Sequence, residues 1–252
     1  MERINVNTLR DPAESTAWNA LAVASIPVWL AVVAWIVASY GAGLVFIGIF
    51  YVMKMMGERF AAAWIKSSGI RVSELQLPEI HRAVVECSGA LGMQAPEVYV
   101  VQNTVWNAFA TKLAGRKMVV LMSGIVDSMM EHGDEAALRF VVGHELGHLA
   151  CGHVEPKRTW VLAGGWLPWL VLWYKRRCEF TCDRVGTACT DRAAAIRGLG
   201  YLAGGATAAR HLNLEAVIAQ WESHRSEFFV KYRTIYSTHP PTLWRIAEAS
   251  KY

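Results

Sequence analysis

Hydrophobic and polar positions divide the chain into a long apolar N-terminal part and a longer part of mixed character. No Asp, Glu, Lys or Arg occurs from Ser15 to Met53, a run of 39 residues. Because a membrane-spanning helix needs about 20 apolar residues, this run is long enough for two helices with a turn near residues 39–43. The pattern predicts a transmembrane helical hairpin with limbs over Trp18–Ala38 and Leu44–Met56. The alternative is a buried helical hairpin in a soluble protein.

A second uncharged run, Thr159–Tyr174, contains four tryptophans. Its 16 residues include Gly164, Gly165 and Pro168, so it is too short and too interrupted for one clean span. Tryptophan is enriched at membrane interfaces. We therefore expect this Trp-rich insert, residues 156–177, to enter the cytoplasmic leaflet as a loop or a short helical hairpin. The alternative is an apolar flap over the protein's own core.

The remaining segments predict an α+β protein, in which a mainly helical domain contains a small β-sheet. Period-2 patterns predict strands at Glu97–Val101, Trp106–Thr111 and Lys117–Met122. Helical patterns cover residues 58–66, 78–90, 134–152, 179–191, 193–204 and 214–225. We expect two parts in the chain: the membrane hairpin over residues 1–60 and a second domain over residues 61–252.

Composition and charge agree with an integral membrane protein. Apolar residues make up 54% of the chain and charged residues 18%, whereas soluble domains carry about 25% charged residues. The net charge of +4 is too small to indicate a nucleic-acid partner. Basic residues flank the apolar run on both sides, which predicts that both ends of the hairpin face the cytoplasm. We expect the cell inner membrane as the location and the lipid bilayer as a partner.

The strongest chemical signal is the sequence His144-Glu145-Leu146-Gly147-His148, which lies in the predicted helix 134–152. Histidines four residues apart share one helix face, so both imidazoles can bind the same metal ion. Glu145 lies beside them and can take a proton from water as a general base. This arrangement is the H-E-x-x-H signature of zinc proteases, and it predicts one Zn²⁺ per chain.

A zinc protease of this kind needs a third protein ligand, for which two residues are candidates. If the helix continues, His153 lies on the side opposite His144, so we interpret it as a capping or packing residue. Glu179 begins the sequence Glu179-Phe180-Thr181-Cys182-Asp183, which places two carboxylates on one helix face. We expect Glu179 to complete a His₂Glu site and Asp183 to accept a hydrogen bond from a ligand imidazole.

Together these motifs resemble the HtpX-like gluzincin family of integral-membrane zinc proteases, which includes the CAAX prenyl endopeptidases. The resemblance covers roughly residues 75–250 and the N-terminal hairpin. It also depends on Asn107-Ala108-Phe109-Ala110-Thr111 and on Ser237-Thr238-His239-Pro240-Pro241, which Arg245 follows. The resemblance implies a zincin fold and a membrane-anchored zinc endopeptidase. It also implies that the enzyme cleaves membrane or misfolded proteins on the cytoplasmic side.

The resemblance further implies roles for residues whose own pattern predicts only a strand or a turn. A polypeptide substrate is expected to pair with Asn107, Ala108, Phe109 and Ala110 by strand addition. His239 and Arg245 are expected to approach the active site and to stabilise the oxyanion, as catalytic residues.

Several alternatives stay open at this point. Only 16 uncharged residues separate the histidine helix from Glu179, which argues against the multi-span barrel of the prenyl endopeptidases and against prenylated substrates. A membrane scaffold that keeps zinc for folding is one alternative function. A soluble protease whose apolar hairpin packs against a partner is another. The sequence leaves the oligomeric state undetermined.

Overall fold

The computed structural model describes residues 3–104 and 107–252, and within these ranges it contains eleven α-helices and one sheet of four strands. The helices are α1 (Pro12–Ala38), α2 (Ala42–Ser68), α3 (Pro78–Ala90), α4 (Ser123–Glu131), α5 (Glu135–Ala150), α6 (Lys157–Val161), α7 (Pro168–Ala188), α8 (Arg192–Arg210), α9 (Leu214–His224), α10 (Phe228–Ile235) and α11 (Thr242–Ala249). The strands are β1 (Ile70–Arg71), β2 (Glu97–Val101), β3 (Ala108–Leu113) and β4 (Arg116–Met122). A 3-10 turn, Leu162–Trp166, links α6 to α7. The chain is therefore mostly helical with a small sheet, as the sequence predicts.

The sheet is mixed, with the strand order β1-β2-β4-β3. β2 runs parallel to β4, and β3 runs antiparallel to β4 with Phe109 opposite Val120. The prediction of strands at 97–101 and 117–122 is confirmed. The third strand begins at Ala108, and Trp106, at which the prediction began it, lies outside the described residues. Within the described sheet β3 is an edge strand, so a further strand can pair with it.

Helix α5 is the centre of the main hydrophobic core. Eleven of its sixteen residues are buried, and Leu138 and Leu146 pack with residues of the sheet and of α3, α4 and α8. Asp134 caps the helix, because its carboxylate accepts a hydrogen bond from the Ala137 N–H at 3.1 Å. A helix that is buried on nearly all sides presents its polar residues to an interior site.

Helices α5 and α7 approach each other closely at glycines. A Cβ atom at Gly186 of α7 would lie 2.8 Å from the carbonyl oxygen of Phe140 in α5. A Cβ at Gly147 would lie 3.2 Å from the Val185 side chain, and one at Gly143 would lie 2.9 Å from the Cβ of Cys189. Larger side chains at these positions would force the two helices apart.

Two long helices precede the sheet. α1 and α2 have 27 residues each, and Trp35 of α1 contacts Phe46 of α2, with ring centroids 6.2 Å apart. Among the described residues, α1 is the helix that is long and apolar enough to cross a membrane, with a mean hydropathy of 2.4. α2 contains both the second predicted limb and the predicted helix 58–66, and it continues without a break to Ser68. The transmembrane hairpin and the division at residue 60 therefore stay predictions.

Much of the Trp-rich insert is helical, which is closer to the predicted short helical hairpin than to the predicted loop. It comprises α6, the 3-10 turn and the first part of α7, so the helix predicted over residues 179–191 begins at Pro168 and ends at Ala188. The sequence interpretation treated Pro168 as a helix breaker. Proline is well suited to the first position of a helix, where its missing N–H needs no partner, and Pro168 occupies that position in α7.

The Trp-rich insert packs against α1. The indole N–H of Trp29 donates a hydrogen bond to the carbonyl of Trp160 at 3.0 Å, and that of Trp166 donates to the carbonyl of Ala24 at 2.8 Å. The insert thus contacts the predicted membrane helix. The entry of the insert into a leaflet stays a prediction.

Candidate active site

The three predicted metal ligands converge between α5 and α7. The Nε2 atom of His144 lies 3.5 Å from Oε2 of Glu179, and the Nε2 atom of His148 lies 3.4 Å from Oε1 of the same carboxylate. All three donor atoms lie within 4.8 Å of one another. His144 and Glu179 are buried, at 6% and 7% exposure, and His148 is partly exposed.

These spacings fit a zinc ion. In a tetrahedron with metal–ligand distances of about 2.1 Å, neighbouring ligand atoms are about 3.4 Å apart. The distances from Glu179 to the two imidazoles are 3.5 and 3.4 Å. Two neutral imidazoles and one carboxylate are also a donor set that zinc commonly takes in catalytic sites.

Asp183 contacts the His144 ring at Nδ1, the nitrogen that is not directed at Glu179. Its Oδ1 lies 3.0 Å from Nδ1 of His144, so the hydrogen bond orients the ring and leaves Nε2 directed at Glu179. Burial alone would lower the pKa of His144, but hydrogen bonds and charges from Asp183 and Glu179 raise that pKa to about 10. Burial likewise opposes ionisation of Glu179, yet its bonds to His144 and His148 hold its pKa well below the ordinary value. The carboxylates thus favour a positive charge at Nε2 of His144, which a proton or a metal cation can supply.

Arg245 of α11 binds Asp183 through two hydrogen bonds. Its Nε donates to Oδ2 at 2.8 Å and its Nη2 donates to Oδ1 at 2.6 Å, while Nη1 lies 3.7 Å from Oε2 of Glu179. Burial would raise the pKa of Asp183, but the charge of Arg245 lowers it. The structure therefore brings Arg245 into the site as the partner of Asp183, with two of its donors already used. This geometry favours a positioning role, whereas the resemblance implies direct contact with the oxyanion.

His239 lies at the open side of the cluster. Its Nε2 is 3.8 Å from Oε1 of Glu179, and its side chain is 62% exposed. The hydroxyl of Thr238 contacts its Nδ1 at 2.9 Å. His239 is therefore next to the ligands and can reach a molecule bound from solvent.

A cleft of about 550 Å³ connects these residues to the edge strand β3. Its walls include Asn107, Ala108, Phe109 and Ala110 together with Glu145, which is 6% exposed. Asn107 comes just before β3, and its backbone carbonyl accepts a hydrogen bond from Met122 N–H at 3.0 Å. An extended chain lying along β3 would therefore share this cleft with Glu145 and the three predicted ligands.

The sequence reasoning missed the position of His153. Helix α5 does not continue past Ala150: Gly152 has a φ of +71°, and the His153 N–H donates to the carbonyl of His148 at 2.8 Å. This is a Schellman-type ending, which turns the chain back on the helix. The His153 ring consequently lies next to His148, with Nδ1 to Nδ1 at 3.1 Å. The signal for this reversal was Gly152, because glycine commonly takes the left-handed conformation just after a helix.

Comparison with known proteins identifies the family. The model of peptidase family M48 matches residues 74–162 and 158–252. The chain is 30% identical over 174 residues to the plastoglobule-localized metallopeptidase 48 of Arabidopsis thaliana, covering 62% of this chain and 49% of that one. It is 26% identical over 197 residues to the protease HtpX of Stutzerimonas stutzeri, covering 75% and 64%.

A third relative is the protease HtpX homolog 2 of Methanosarcina acetivorans. It is 32% identical over 107 residues, which cover 42% of this chain and 35% of the relative. The chain spans about half, or less, of the length of the first relatives it matches.

Proposed function

Since this chain belongs to peptidase family M48 and is an HtpX-like metalloprotease, we propose that it is a membrane-anchored zinc endopeptidase acting on the cytoplasmic side. The observation that carries this proposal is the convergence of His144, His148 and Glu179 at the end of the cleft beside β3. The polypeptide substrate follows from the family. Zinc, the anchor and the roles of individual residues are the parts that we propose.

In this proposal His144, His148 and Glu179 hold the zinc ion. When bound there, zinc would supply Lewis acidity, which lowers the pKa of water and polarises the scissile carbonyl. The Glu145 carboxylate takes a proton from the attacking water and delivers it to the leaving nitrogen. Its position in the cleft wall supports this role, because residues 107–110, beside which an added strand would lie, line the same cleft.

The other site residues bind the substrate and orient the metal ligands. Main-chain groups of residues 107–110 hold the substrate extended, and Nε2 of His239 donates a hydrogen bond to the oxyanion. Asp183 keeps the proton of His144 on Nδ1, so that Nε2 is free to bind metal. Arg245 holds Asp183 in place through its two hydrogen bonds.

We assign the membrane anchor to α1 and the first part of α2. Large apolar side chains are exposed along both helices, for example Leu30 at 65% and Phe50 at 70%. A surface of this kind is stable in lipid and costly in water. With the basic flanks on the cytoplasmic side, residues 1–60 form the hairpin and residues 61–252 the protease domain. Membrane or misfolded proteins are then within reach as substrates.

The decisive experiment compares detergent-purified wild type with Glu145→Gln, using casein as an unfolded substrate and measuring zinc content in both. We expect one zinc per chain in both proteins and a loss of cleavage by about 10²–10⁴ in Glu145→Gln. Glu215→Gln, at an exposed position of α9, is the matched control and should cleave normally. Equal cleavage by wild type and Glu145→Gln would refute the mechanism. Zinc binding without cleavage by wild type would favour the scaffold alternative.

Topology can be tested with single cysteines. The five native cysteines are buried, so labelling of intact cells by a membrane-impermeant maleimide should have a low background. Tyr40, between α1 and α2, is 100% exposed, and Tyr40→Cys should be labelled from outside. Glu215→Cys should be labelled only after lysis. Release of the protein from membranes by carbonate would refute the anchor.

A further inference from the structure

Glu14 is a buried carboxylate near the start of α1, at 3% exposure. Its Oε1 accepts hydrogen bonds from Arg10 and from Nε2 of His153, the latter at 3.1 Å. Its Oε2 accepts a hydrogen bond from the Thr181 hydroxyl, and Arg158 lies 4.0 Å from Oε1. A carboxylate held by several specific partners in the interior is not explained by membrane anchoring alone.

His153 connects this carboxylate to a predicted metal ligand. Its Nδ1 lies 3.1 Å from Nδ1 of His148, and its Nε2 points at Glu14. The other nitrogen of His148, Nε2, faces Glu179. Glu14, His153 and His148 therefore form one line, which runs from the start of α1 to the predicted metal ligands at the end of α5.

One arrangement of protons satisfies this line when both imidazoles are neutral. If Nε2 of His148 binds a metal, its proton is on Nδ1 and must be donated. Nδ1 of His153 then accepts it, so the His153 proton is on Nε2 and is donated to the Glu14 carboxylate. The Cys182 thiol, 3.5 Å from the same Nδ1, is only a weak additional donor.

The two predicted histidine ligands then have matching support. His144 donates its Nδ1 proton directly to Asp183, whereas His148 reaches a carboxylate through one intervening imidazole. Carboxylates behind ligand histidines orient the ring and raise its basicity. We propose that Glu14 and His153 are positioning residues for the metal site, acting on His148 as Asp183 acts on His144. The predicted membrane helix thus contributes to the metal site as well as to anchoring.

This inference depends on the proposed zinc site, and the test separates the two. Full-length protein in detergent is prepared as wild type, Glu14→Gln, His153→Phe, the double variant and Glu179→Gln. The measurements are the zinc dissociation constant by competition with a chelator and the visible spectrum of the Co²⁺-loaded protein. The thermal midpoint of the metal-free protein is measured alongside.

The matched control is Asp11→Asn. Asp11 is also buried at the start of α1, with 7% exposure, and it caps the helix through Ala13 N–H and pairs with Arg184 at 3.5 Å. Asn retains the cap and removes the charge without touching His153. It therefore reports on loss of a buried charge in α1 alone.

We expect Glu14→Gln to weaken zinc binding about 10-fold, His153→Phe up to about 100-fold, and both to change the Co²⁺ spectrum. Since Glu14 acts through His153, the double variant should bind zinc as His153→Phe does. Asp11→Asn should lower the thermal midpoint and leave zinc affinity unchanged.

Unchanged zinc affinity and Co²⁺ spectrum in Glu14→Gln would overturn the inference. It would also be overturned if Glu14→Gln weakened zinc binding as much in the His153→Phe variant as it does in wild type. If Glu14→Gln does not fold, His153→Phe provides the test, because phenylalanine keeps an aromatic ring at this position and lacks both ring nitrogens. Zinc binding by Glu179→Gln as tight as by wild type would instead refute the proposed metal site itself.

Discussion

Replacing Gly186 with alanine tests whether the close approach of α5 and α7 holds the predicted ligands together. The added Cβ would lie 2.8 Å from the carbonyl oxygen of Phe140 and 2.9 Å from its Cδ2. The Phe140 ring cannot turn away, because its other edge lies tightly against Gly198 of α8. A Cβ at Gly198 would be only 2.5 Å from Cδ1 of Phe140. The substitution therefore requires α7 itself to move away from α5.

The magnitude follows from two opposing effects. Overpacking of a buried position costs about 1–3 kcal/mol, and contacts with backbone and an immobile ring favour the upper half of that range. Alanine in place of glycine stabilises the helix by about 1 kcal/mol through its higher helix propensity. The net loss of about 1–2 kcal/mol corresponds to a thermal midpoint lower by about 2–8 °C. Glu179, two turns away on α7, moves with the helix, so zinc affinity falls as well.

The assay is thermal unfolding of the metal-free protein in detergent, followed by tryptophan fluorescence. Gly89→Ala is the matched control, since Gly89 is in α3 and a Cβ there would meet no atom within 4 Å. That variant should be as stable as wild type or more stable, by up to about 1 kcal/mol. If Gly186→Ala unfolds at the wild-type temperature and binds zinc with wild-type affinity, the packing argument is wrong.

Three further substitutions test the site and its supports. Asp183→Asn should weaken zinc binding about 10–100-fold in a chelator competition, because His144 loses its charged acceptor; an unchanged affinity would contradict this. His239→Phe should lower kcat on casein about 100-fold with normal zinc content, since one oxyanion donor is removed; a normal kcat would exclude that role. Burial raises the pKa of Asp134, but its hydrogen bonds from Arg197 and the Ala137 N–H lower it overall. A depressed pKa contributes stability above the unfolded value of about 3.9, which is lost as the pH falls through the folded value. Asp134→Asn should therefore be less stable than wild type at pH 7, by about 1 kcal/mol, and this deficit should begin to shrink as the pH falls below about 4; a deficit of constant size from pH 5 to pH 3 would count against the ion pair.

Local signals account for the elements that the sequence predicted well. The prediction of a helix over residues 78–90 matches α3, which begins with a proline at its first position, and the strand at 97–101 matches β2. These boundaries depend on residues within one turn or one strand, so no distant partner is needed to place them. The predicted start of α7, at residue 179, was wrong. Pro168 can either break a helix or begin one, and the packing of the Trp-rich insert on α1 decides between the two.

In the candidate site, too, the local sequence predicts some features, and long-range packing sets the others. The spacing of His144 and His148 is a property of one helix turn, so the sequence determined that their rings share a face. It also indicated Glu179 and Asp183 as a pair. The distance between α5 and α7, which sets 3.4–3.5 Å between the ligand atoms, depends on how the core closes around Gly186.

By itself, the sequence determined the metal-binding motif, the long apolar run and the family, because each is written in contiguous or regularly spaced residues. Only the tertiary structure decided that Glu14 reaches His148 through His153 and that Arg245 binds Asp183. Residues 14 and 153 are 139 positions apart, and their encounter requires both the chain reversal at Gly152 and the docking of α1. Contacts of that range arise from the mutual packing of buried surfaces, which no local periodicity encodes.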